Sequence, residues 1–277
     1  MALNTINGFG MFDCHAHLSD NSFNDDIDVL LDDAHSKKVT DIIVVSEGIN
    51  DAQKVIDLCK MKGRLTNKPR LHASIGMHPC EADLDILPKI IELIDAHHDD
   101  LVCIGEIGLD YAPHIIGKDS KSEVTAKLKE IQREVFVKHA ERANLYDLPL
   151  NVHSRSAGHH TLKLMGEIGV KKALMHSFDG KPKYALSGYT DFGFYFSVAP
   201  SICRNPGLQN MVKMLPLSAL VLETDCPVLG PVKNERAVPA GIVTSCEWIS
   251  KIKEISTEEV MKVTSQNARN LFPKAFK

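Results

Sequence analysis

Four short stretches of this 277-residue sequence each end an apolar run with an imidazole or a carboxylate. They cover residues 13–17, 105–108, 152–155 with a similar run at 175–177, and 223–225. In the first stretch, His15 and His17 are two positions apart. Because successive side chains of a β-strand point to opposite faces, both imidazoles face the same way and can bind one ion. The spacing therefore predicts a metal site.

Six residues from these stretches form the predicted ligand set: His15, His17, Glu106, His153, His176 and Asp225. Imidazoles and carboxylates together suit Zn2+ or Mn2+, and Mg2+ remains an option although it prefers oxygen ligands. Six ligands are too many for one catalytic zinc with an open position. We therefore predict two divalent ions, bridged by Glu106 and about 3.5–4 Å apart. Such a centre activates water and holds phosphoryl oxygens, and Asp225 is expected both to bind metal and to take a proton. Glu106 and Asp225 are the predicted catalytic residues.

Each of these residues also has an ordinary structural explanation. Glu106 alone could cap a helix, and Asp225 alone could be an N-cap. A lone buried histidine more often belongs to the packing than to a metal site. We expect eight other histidines to be solvent-facing or structural. They are His35, His72, His97, His98, His114, His139, His159 and His160. The joint pattern carries the prediction.

Eight runs rich in Val, Ile, Leu and aromatic residues predict strands, and their near-continuous apolar character suits parallel strands covered on both faces. The predicted strands are 10–18, 40–47, 70–77, 101–107, 149–154, 172–178, 193–199 and 219–225. The six ligands then lie at the ends of the first, fourth, fifth, sixth and eighth strands. Since the carboxyl ends of barrel strands meet at one rim, all six would share one mouth.

Helical spacing of apolar residues predicts helices between the strands. They cover residues 22–38, 50–62, 85–97, 122–145, 157–168, 181–190, 206–214, 240–253 and 256–271. Asn50 is a suitable N-cap, Gly63 a suitable stop, and Ser256 to Glu259 resembles a capping box. The alternation predicts an α/β fold, a TIM-like (β/α)8 barrel that forms a single domain over residues 1–277. A doubly wound open sheet is the alternative, but it offers the ligands no common mouth. The loop 111–121 is expected to overhang the mouth at the fourth strand.

Composition limits the function classes. With 44% hydrophobic residues the chain can bury a large core, and a net charge of −4 argues against a protein that holds nucleic acid along a broad basic stripe. Seven scattered cysteines favour reduced thiols in the cytoplasm or nucleus. The sequence shows neither a secretory signal nor an apolar run of the roughly 20 residues that would span a bilayer.

Seven motifs resemble the TatD family of metal-dependent deoxyribonucleases, and they extend from residue 13 to residue 273. They are Asp13-x-His15-x-His17-Leu18, Gly76-x-His78-Pro79, Gly105-Glu106-Ile107-Gly108-Leu109-Asp110-Tyr111, His153-x-Arg155, His176-x-Phe178-x-Gly180, Glu223-Thr224-Asp225-x-Pro227 and Asn267-x-x-x-Leu271-Phe272-Pro273. The stretches 154–158 and 200–202 resemble an animal branch of TatD-domain proteins most. Two departures, Cys226 in place of the usual Ser and Pro239-Ala240-Gly241 in place of an Asn-containing run, leave the ligands untouched.

The resemblance implies a TIM-like barrel that hydrolyses DNA phosphodiesters, often as a 3′-to-5′ exonuclease. It implies that one ion binds His15, His17 and Asp225, that the other binds His153 and His176, and that Glu106 lies between them. Three further residues are expected near the substrate: Arg155 on a phosphate, His78 on a phosphate or behind the ligands, and Tyr111 as a base-stacking surface at the rim. The alternatives are a rim salt bridge for Arg155, structural packing for His78 and a packed rim aromatic for Tyr111.

Two other functions compete with a DNase. A small-molecule amidohydrolase or phosphoesterase can use the same barrel and the same kind of centre. Many such enzymes bridge their ions with a modified lysine on the fourth strand, so Glu106 favours the nuclease. A non-catalytic interaction protein is disfavoured by the intact ligand set. The expected partner is DNA and not a membrane, the expected state is a monomer, and the sequence indicates no protein partner.

Overall fold

A closed barrel of eight parallel strands, paired in sequence order and surrounded by helices, forms the protein. The computed structural model describes residues 10–119 and 122–277. The strands are β1 Met11–Ala16, β2 Val39–Val45, β3 Arg70–Ile75, β4 Leu101–Asp110, β5 Leu150–Arg155, β6 Ala173–Met175, β7 Tyr195–Val198 and β8 Leu220–Leu222. Pairing of Asp13 with Leu222 closes the barrel between β1 and β8. The predicted fold class is confirmed, and the open-sheet alternative is wrong.

Helices follow the strands in the predicted alternation. They are α1 Ile27–Ser36, α2 Ile49–Lys62, α3 Leu87–His97, α4 Pro113–Ile116, α5 Glu123–Leu145, α6 Gly158–Glu167, α7 Pro182–Phe192, α8 Pro206–Met214, α9 Ile242–Lys253 and α10 Thr257–Leu271. Short 3-10 turns lie at Asn21–Phe23, Pro79–Glu81, Pro200–Arg204, Leu217–Ala219, Pro239–Gly241 and Pro273–Phe276. In the parts of the chain that the structure describes, no helix has the length and apolar character needed to cross a bilayer.

Several predicted boundaries differ from the structure. The first predicted helix, 22–38, divides into a 3-10 turn and α1. The N-cap of α2 is Gly48 rather than Asn50, because the Asp51 carboxylate accepts a hydrogen bond from the Gly48 backbone N–H at 3.0 Å. Ser256 does cap α10, where its hydroxyl accepts from the Glu259 N–H. The predicted loop 111–121 contains α4, and its residues 120 and 121 lie outside the described residues.

The fourth strand is longer than predicted. Glu106 does not end it, since β4 continues to Asp110, which pairs with Arg155 of β5. The Gln132 side chain on α5 supports this extension. Its Oε1 accepts from the Asp110 N–H at 2.9 Å, and its amide donates to the Asp110 carbonyl at 3.1 Å. The strand therefore carries Glu106 within the barrel mouth and Asp110 further along the same rim.

Glycines let β4 lie close to β5. A Cβ on Gly105 would stand 2.4 Å from the Asn151 carbonyl oxygen, and a Cβ on Gly108 would stand 2.0 Å from that of His153. Both distances are far below van der Waals contact, so a larger residue would separate the strands. The Gly105-Glu106-Ile107-Gly108 motif therefore holds Glu106 against the strand that carries His153.

Apolar side chains fill the space between strands and helices and extend beyond it. A second apolar cluster joins five strands to the end of α10 and the C-terminal turn. Its members include Phe12, Ile43, Val102, Leu174, Val221, Leu271 and Phe272. The C-terminal segment is thus packed against the barrel, and the mouth residues are built on rigid strands.

Candidate metal centre

Glu106 lies at the middle of the barrel mouth, with its carboxylate buried. Its Oε2 lies 3.4 Å from the Nε2 atoms of both His15 and His17. Its Oε1 lies 2.8 Å from Nδ1 of His153 and 3.6 Å from Nε2 of His78. The two oxygens of one carboxylate therefore face two different groups of imidazoles.

Asp225 completes the group around β1. It follows β8 by three residues, and its backbone N–H donates to the His15 carbonyl at 2.9 Å. Its Oδ1 lies 3.3 Å from Nε2 of His17, and its Oδ2 lies 3.8 Å from Nε2 of His176. The Asp225 backbone has a φ of 52°, a left-handed conformation that is strained for this residue type and is held here by the surrounding contacts.

The structure brings all six predicted ligands together. His176 lies with its Nε2 3.8 Å from Glu106 Oε1, and its ring stacks on His15 at 3.6 Å between centroids. Three sets of side chains place their ligand atoms within 4.8 Å of one another: His15, His176 and Asp225; His15, His17 and Glu106; and His78, Glu106 and His153. Each set could hold a metal ion, and sharing of Glu106 connects two of them.

Residues behind the imidazoles orient them. Nδ1 of His15 donates to the Asn151 side-chain oxygen at 2.9 Å, because the Asn151 amide nitrogen donates elsewhere, to the Cys14 carbonyl at 2.9 Å. Nδ1 of His176 donates to Glu223 Oε2 at 2.7 Å. In both rings Nε2 is then directed at the shared space, which is the arrangement that metal-binding histidines require.

In His153 the two ring nitrogens exchange roles, so that Nε2 faces the outer carboxylate and Nδ1 faces the shared space. Its Nε2 lies 3.2 Å from Asp110 Oδ2, and its Nδ1 faces Glu106. The Asp110 carboxylate is itself held in place, since its Oδ1 accepts a hydrogen bond from the Ala112 N–H at 2.8 Å. The donor set thus fits divalent ions, because imidazole nitrogens and carboxylate oxygens converge on a shared space. Asn151, Glu223 and Asp110 accept the N–H protons of His15, His176 and His153 on the side of each ring that faces away from that space.

Sequence reasoning gave no role to Asn151 and named Glu223 only as part of a motif. Both are buried polar residues in apolar runs, and each stands two positions before a predicted ligand. Because alternate residues of a strand share a face, that spacing was the signal that could have revealed them. Asp13 likewise stands two positions before a predicted ligand, His15. Its carboxylate accepts a hydrogen bond from the Thr224 N–H at 2.9 Å, which connects β1 to the segment that carries Asp225.

The charges of the cluster depend on one another. Burial alone would lower the pKa of His17, but hydrogen bonds to Asp225 and Glu106 outweigh it and raise the pKa well above the ordinary range. Burial likewise opposes the charge of His176, yet Glu223 and Asp225 raise the pKa of His176 to about 9. Burial would raise the pKa of Glu106, but the imidazoles of His78 and His15 hold it well below its usual value. In the metal-free cluster Glu106 is therefore ionised and His17 and His176 are protonated, and an ion would replace the protons of these two imidazoles.

His78 lies inside the cluster rather than beside it. It precedes the turn Pro79–Glu81, and its Nδ1 accepts from the Cys80 N–H at 3.1 Å. Burial lowers the pKa of His78 to about 4, so the ring is neutral, and its proton is on Nε2. That N–H points to the space beside Glu106 and His153, 3.3 Å from Nδ1 of His153.

The other two predicted substrate residues lie further out. Arg155 ends β5, is exposed, and lines the cavity of about 590 Å3 at the mouth together with His17, His78 and Asp225. It forms no ion pair with the residues that the structure describes, so the rim salt bridge is not found. Tyr111 does not line that cavity. It is half-buried against the core, as the packed-aromatic alternative expects, and it lines a separate hollow with Arg133 and Lys163. Its predicted contact with substrate stays a prediction.

Known proteins match this chain over nearly its whole length. The family model described as "TatD related DNase" matches residues 12–273. This chain belongs to the TatD family. It is 40% identical over 274 residues to "Deoxyribonuclease TATDN3" from Homo sapiens, and the match covers 96% of each chain. The expected animal branch of the TatD family is thereby confirmed, as is the prediction that the chain is an enzyme of the hydrolase class.

More distant proteins also match the chain over most of its length. The chain is 29% identical to "Uncharacterized metal-dependent hydrolase YabD" from Bacillus subtilis (strain 168), over 95% of this chain and 98% of that protein. The crystal structure of a TatD family hydrolase from Entamoeba histolytica matches with a TM-score of 0.82 and 25% identity, over 96% of this chain and 98% of the other. A TatD homologue from Escherichia coli, at 22% identity and a TM-score of 0.81, shares the fold.

Proposed function

We propose that this protein is a divalent-metal-dependent deoxyribonuclease that removes nucleotides from the 3′ end of DNA through a centre of two ions. The observation that carries the proposal is the position of Glu106. Its Oε2 faces His15 and His17 at 3.4 Å, and its Oε1 faces His153 at 2.8 Å. One carboxylate between two sets of imidazoles is the arrangement that a bridging ligand needs.

The division of the ligands between the two ions is the one that the family resemblance implies. His15, His17 and Asp225 would hold one ion, and His153 and His176 the other, with Glu106 between them. When bound, the ions would lower the pKa of a coordinated water and offset charge on the phosphoryl oxygens. Mg2+, Mn2+ and Zn2+ all remain compatible with this mixture of nitrogen and oxygen donors.

The chain's own residues would supply the remaining steps. Asp225 Oδ1, 3.3 Å from His17 Nε2, is placed to accept the proton of the attacking water. His78 is neutral and would donate its Nε2–H to a phosphoryl oxygen. Arg155 is exposed at the mouth without a competing ion pair among the described residues, so its guanidinium is free to bind a phosphate through two N–H groups.

The comparisons support DNA as the substrate. Four vertebrate relatives at 37–40% identity carry the word deoxyribonuclease in their names. Glu106 stands where many small-molecule hydrolases of this barrel type have a modified lysine, which favours the nuclease over an amidohydrolase or phosphoesterase. Action as a monomer in the cytoplasm or nucleus belongs to the same proposal. All seven cysteines are unpaired, which is compatible with a reducing compartment.

Digestion of 5′-labelled single-stranded DNA with a series of Mg2+, Mn2+ and Zn2+ concentrations tests the proposal. We expect a ladder of labelled products that shortens progressively from the 3′ end, and no cleavage after EDTA treatment. Early internal fragments would refute the exonuclease direction. Full activity without metal would refute the mechanism. Metal-dependent hydrolysis of a small ester without DNA cleavage would favour the phosphoesterase instead. Light scattering of the purified protein tests the monomer.

A further inference from the structure

A row of four aromatic rings lies beside the mouth, on residues that follow β4, β5 and β6. It consists of Tyr111, His160, His159 and Tyr184, which we call the aromatic row. Successive ring centroids are 5.5, 3.8 and 5.4 Å apart. Both histidines are exposed and both tyrosines are partly exposed. The row therefore presents a partly exposed aromatic surface, and its two tyrosines also pack against the core.

The row begins next to the metal centre. Tyr111 directly follows Asp110, whose Oδ2 contacts the predicted ligand His153 at 3.2 Å. The Tyr111 N–H donates to the carbonyl of Arg155 at 2.9 Å. These contacts fix the backbone of Tyr111 beside Arg155, whose side chain lines the mouth cavity, while the Tyr111 ring lines a neighbouring hollow. A strand that leaves the centre past Arg155 would next meet this ring.

Basic side chains accompany the aromatic row. They are Lys129, Arg133, Lys163, Lys181 and Lys183. The Lys129 Nζ lies 4.8 Å from the Tyr111 ring centroid, and the Lys183 Nζ lies 5.1 Å from that of Tyr184. Arg133 and Lys163 line a hollow with Tyr111 and His160, and Lys181 lines another with His159 and Tyr184.

Two carboxylates also border these hollows. Glu167 pairs with Lys163 at 3.6 Å and with Arg133 at 3.9 Å, and Asp179 accepts from the Ser156 N–H at 3.1 Å. The five basic side chains outnumber these two carboxylates and Glu130, which also acts on Tyr111. Burial, His159, Lys129 and Lys163 all lower the pKa of His160, as expected where the local field is positive.

The opposite wall of the mouth has the opposite charge. On the side of β1 and β2 the cavity is lined by Asp20, Glu47, Asp51 and Glu81, with Lys54 as the basic residue of that wall. The Lys54 ammonium is engaged with the Ser19 carbonyl at 2.5 Å and with Asn21 at 3.1 Å. A polyanionic strand is therefore repelled from this wall and attracted towards the aromatic row.

We propose that single-stranded DNA reaches the metal centre across the aromatic row, with bases stacked on its rings and phosphates beside its lysines. The acidic wall then closes the far side, so that the strand ends at the centre. Stacking on aromatic side chains tolerates any base, as a nuclease without sequence preference requires. The inference rests on the proposed deoxyribonuclease function and adds where the strand lies 5′ of the cleaved bond.

The test is the dependence of KM on strand length. Oligothymidylates of roughly two to twelve nucleotides span the site sizes of stacking-type binders. The parent KM is expected to fall as the strand becomes long enough to cover the row. In the double variant His159→Ala, Tyr184→Ala, the KM for long strands should rise about tenfold or more, because each stacked base contributes roughly one factor of ten. The ratio of long-strand to short-strand KM should then approach one.

Matched variants separate stacking from general damage. His159→Phe with Tyr184→Phe keeps the rings and should keep the parent's length dependence. Trp248→Leu on α9 removes another aromatic ring with a lysine beside it, Lys251 at 4.7 Å, and should leave the ratio unchanged. Thermal unfolding of each variant shows that it is folded. Cleavage of DNA with a length-independent KM, or an unchanged ratio in the double alanine variant, overturns the strand path alone. Failure of the parent to cleave any DNA overturns the proposed function and the path together.

Discussion

Glu223 and His176 form a buried hydrogen bond of 2.7 Å, in which the imidazole Nδ1–H donates to Oε2 of the carboxylate. Glu223 lies just after β8 and His176 just after β6, so the bond connects the ends of two strands that do not neighbour each other. The other oxygen, Oε1, has no hydrogen-bond partner among the described residues. The bond directs Nε2 of His176 into the space it shares with Glu106 and Asp225.

Replacing Glu223 by Gln should weaken metal binding while the protein stays folded. A neutral amide oxygen can still accept the Nδ1–H, but it no longer raises the basicity of the ring, so affinity should fall about 10- to 100-fold. Titration calorimetry with Zn2+ or Mn2+ measures this. Glu134→Gln, an exposed glutamate on α5, is the control and should bind like the parent. Equal affinity in both variants would show that Glu223 does not tune His176.

Asn151→Ala should destabilise the protein even without metal. The substitution leaves the Cys14 carbonyl and the His15 Nδ1–H buried without their partner, which costs about 1–3 kcal/mol. Urea unfolding in EDTA provides the free energy of unfolding. Asn270→Ala removes an exposed asparagine on α10 and should change that free energy by no more than about 0.5 kcal/mol. A similarly small effect at Asn151 would contradict the orienting role.

The stability of the metal-free protein should fall between about pH 6.5 and 9. The folded-state pKa of His176 is raised from 6.5 to about 9, so its protonated form stabilises the fold fully below the unfolded value and is lost as pH rises through the folded value. The pKa values of Glu106 and Asp225 are lowered, so their contributions are lost on the acid side instead. Thermal unfolding in EDTA at a series of pH values measures this, and His176→Gln should flatten the alkaline decline. Stability that increases from pH 6.5 to 9 would contradict the protonated cluster.

Metal binding at neutral pH should release protons. His17 and His176 are protonated in the metal-free cluster and must become neutral to bind an ion, so roughly one or two protons should leave. Calorimetric titrations in buffers with different ionisation enthalpies count them. Binding heats that do not depend on the buffer would mean that the ion enters elsewhere.

Asp225→Asn should remove most turnover without unfolding the protein. The amide cannot accept the proton of the attacking water, and general-base catalysis contributes typically 10^2- to 10^4-fold. The rate of DNA cleavage is compared with that of Asp191→Asn, an exposed aspartate near the end of α7. If both variants cleave DNA at the parent's rate, the proton acceptor has been assigned to the wrong residue.

Much of the fold follows from local patterns. The eight apolar runs predicted eight strands, because parallel strands covered on both faces need no polar alternation. His15 and His17 could be paired from their spacing alone, and their Nε2 atoms do lie 3.2 Å apart. The ends of the strands were harder to predict. The extension of β4 to Asp110 is supported by Gln132, a residue 22 positions away whose contact no local pattern shows.

The outer layer of the candidate site was harder to predict for the same reason. Asn151 orients His15 across 136 positions of sequence, and Asp110 contacts His153 across 43. His78 was expected on a phosphate or behind the ligands, and its position 3.6 Å from Glu106 depends on how β3 lies against β4. Residue types at strand ends indicated the ligands, whereas the groups that orient them depend on the register between strands.

Anomalous diffraction from crystals soaked in Mn2+ tests the central claim most directly. The proposed bridging role of Glu106 predicts two peaks about 3.5–4 Å apart, with Oε2 bound to the ion beside His15 and His17 and Oε1 bound to the ion beside His153. A single peak, or two peaks of which only one contacts Glu106, would contradict the two-ion centre.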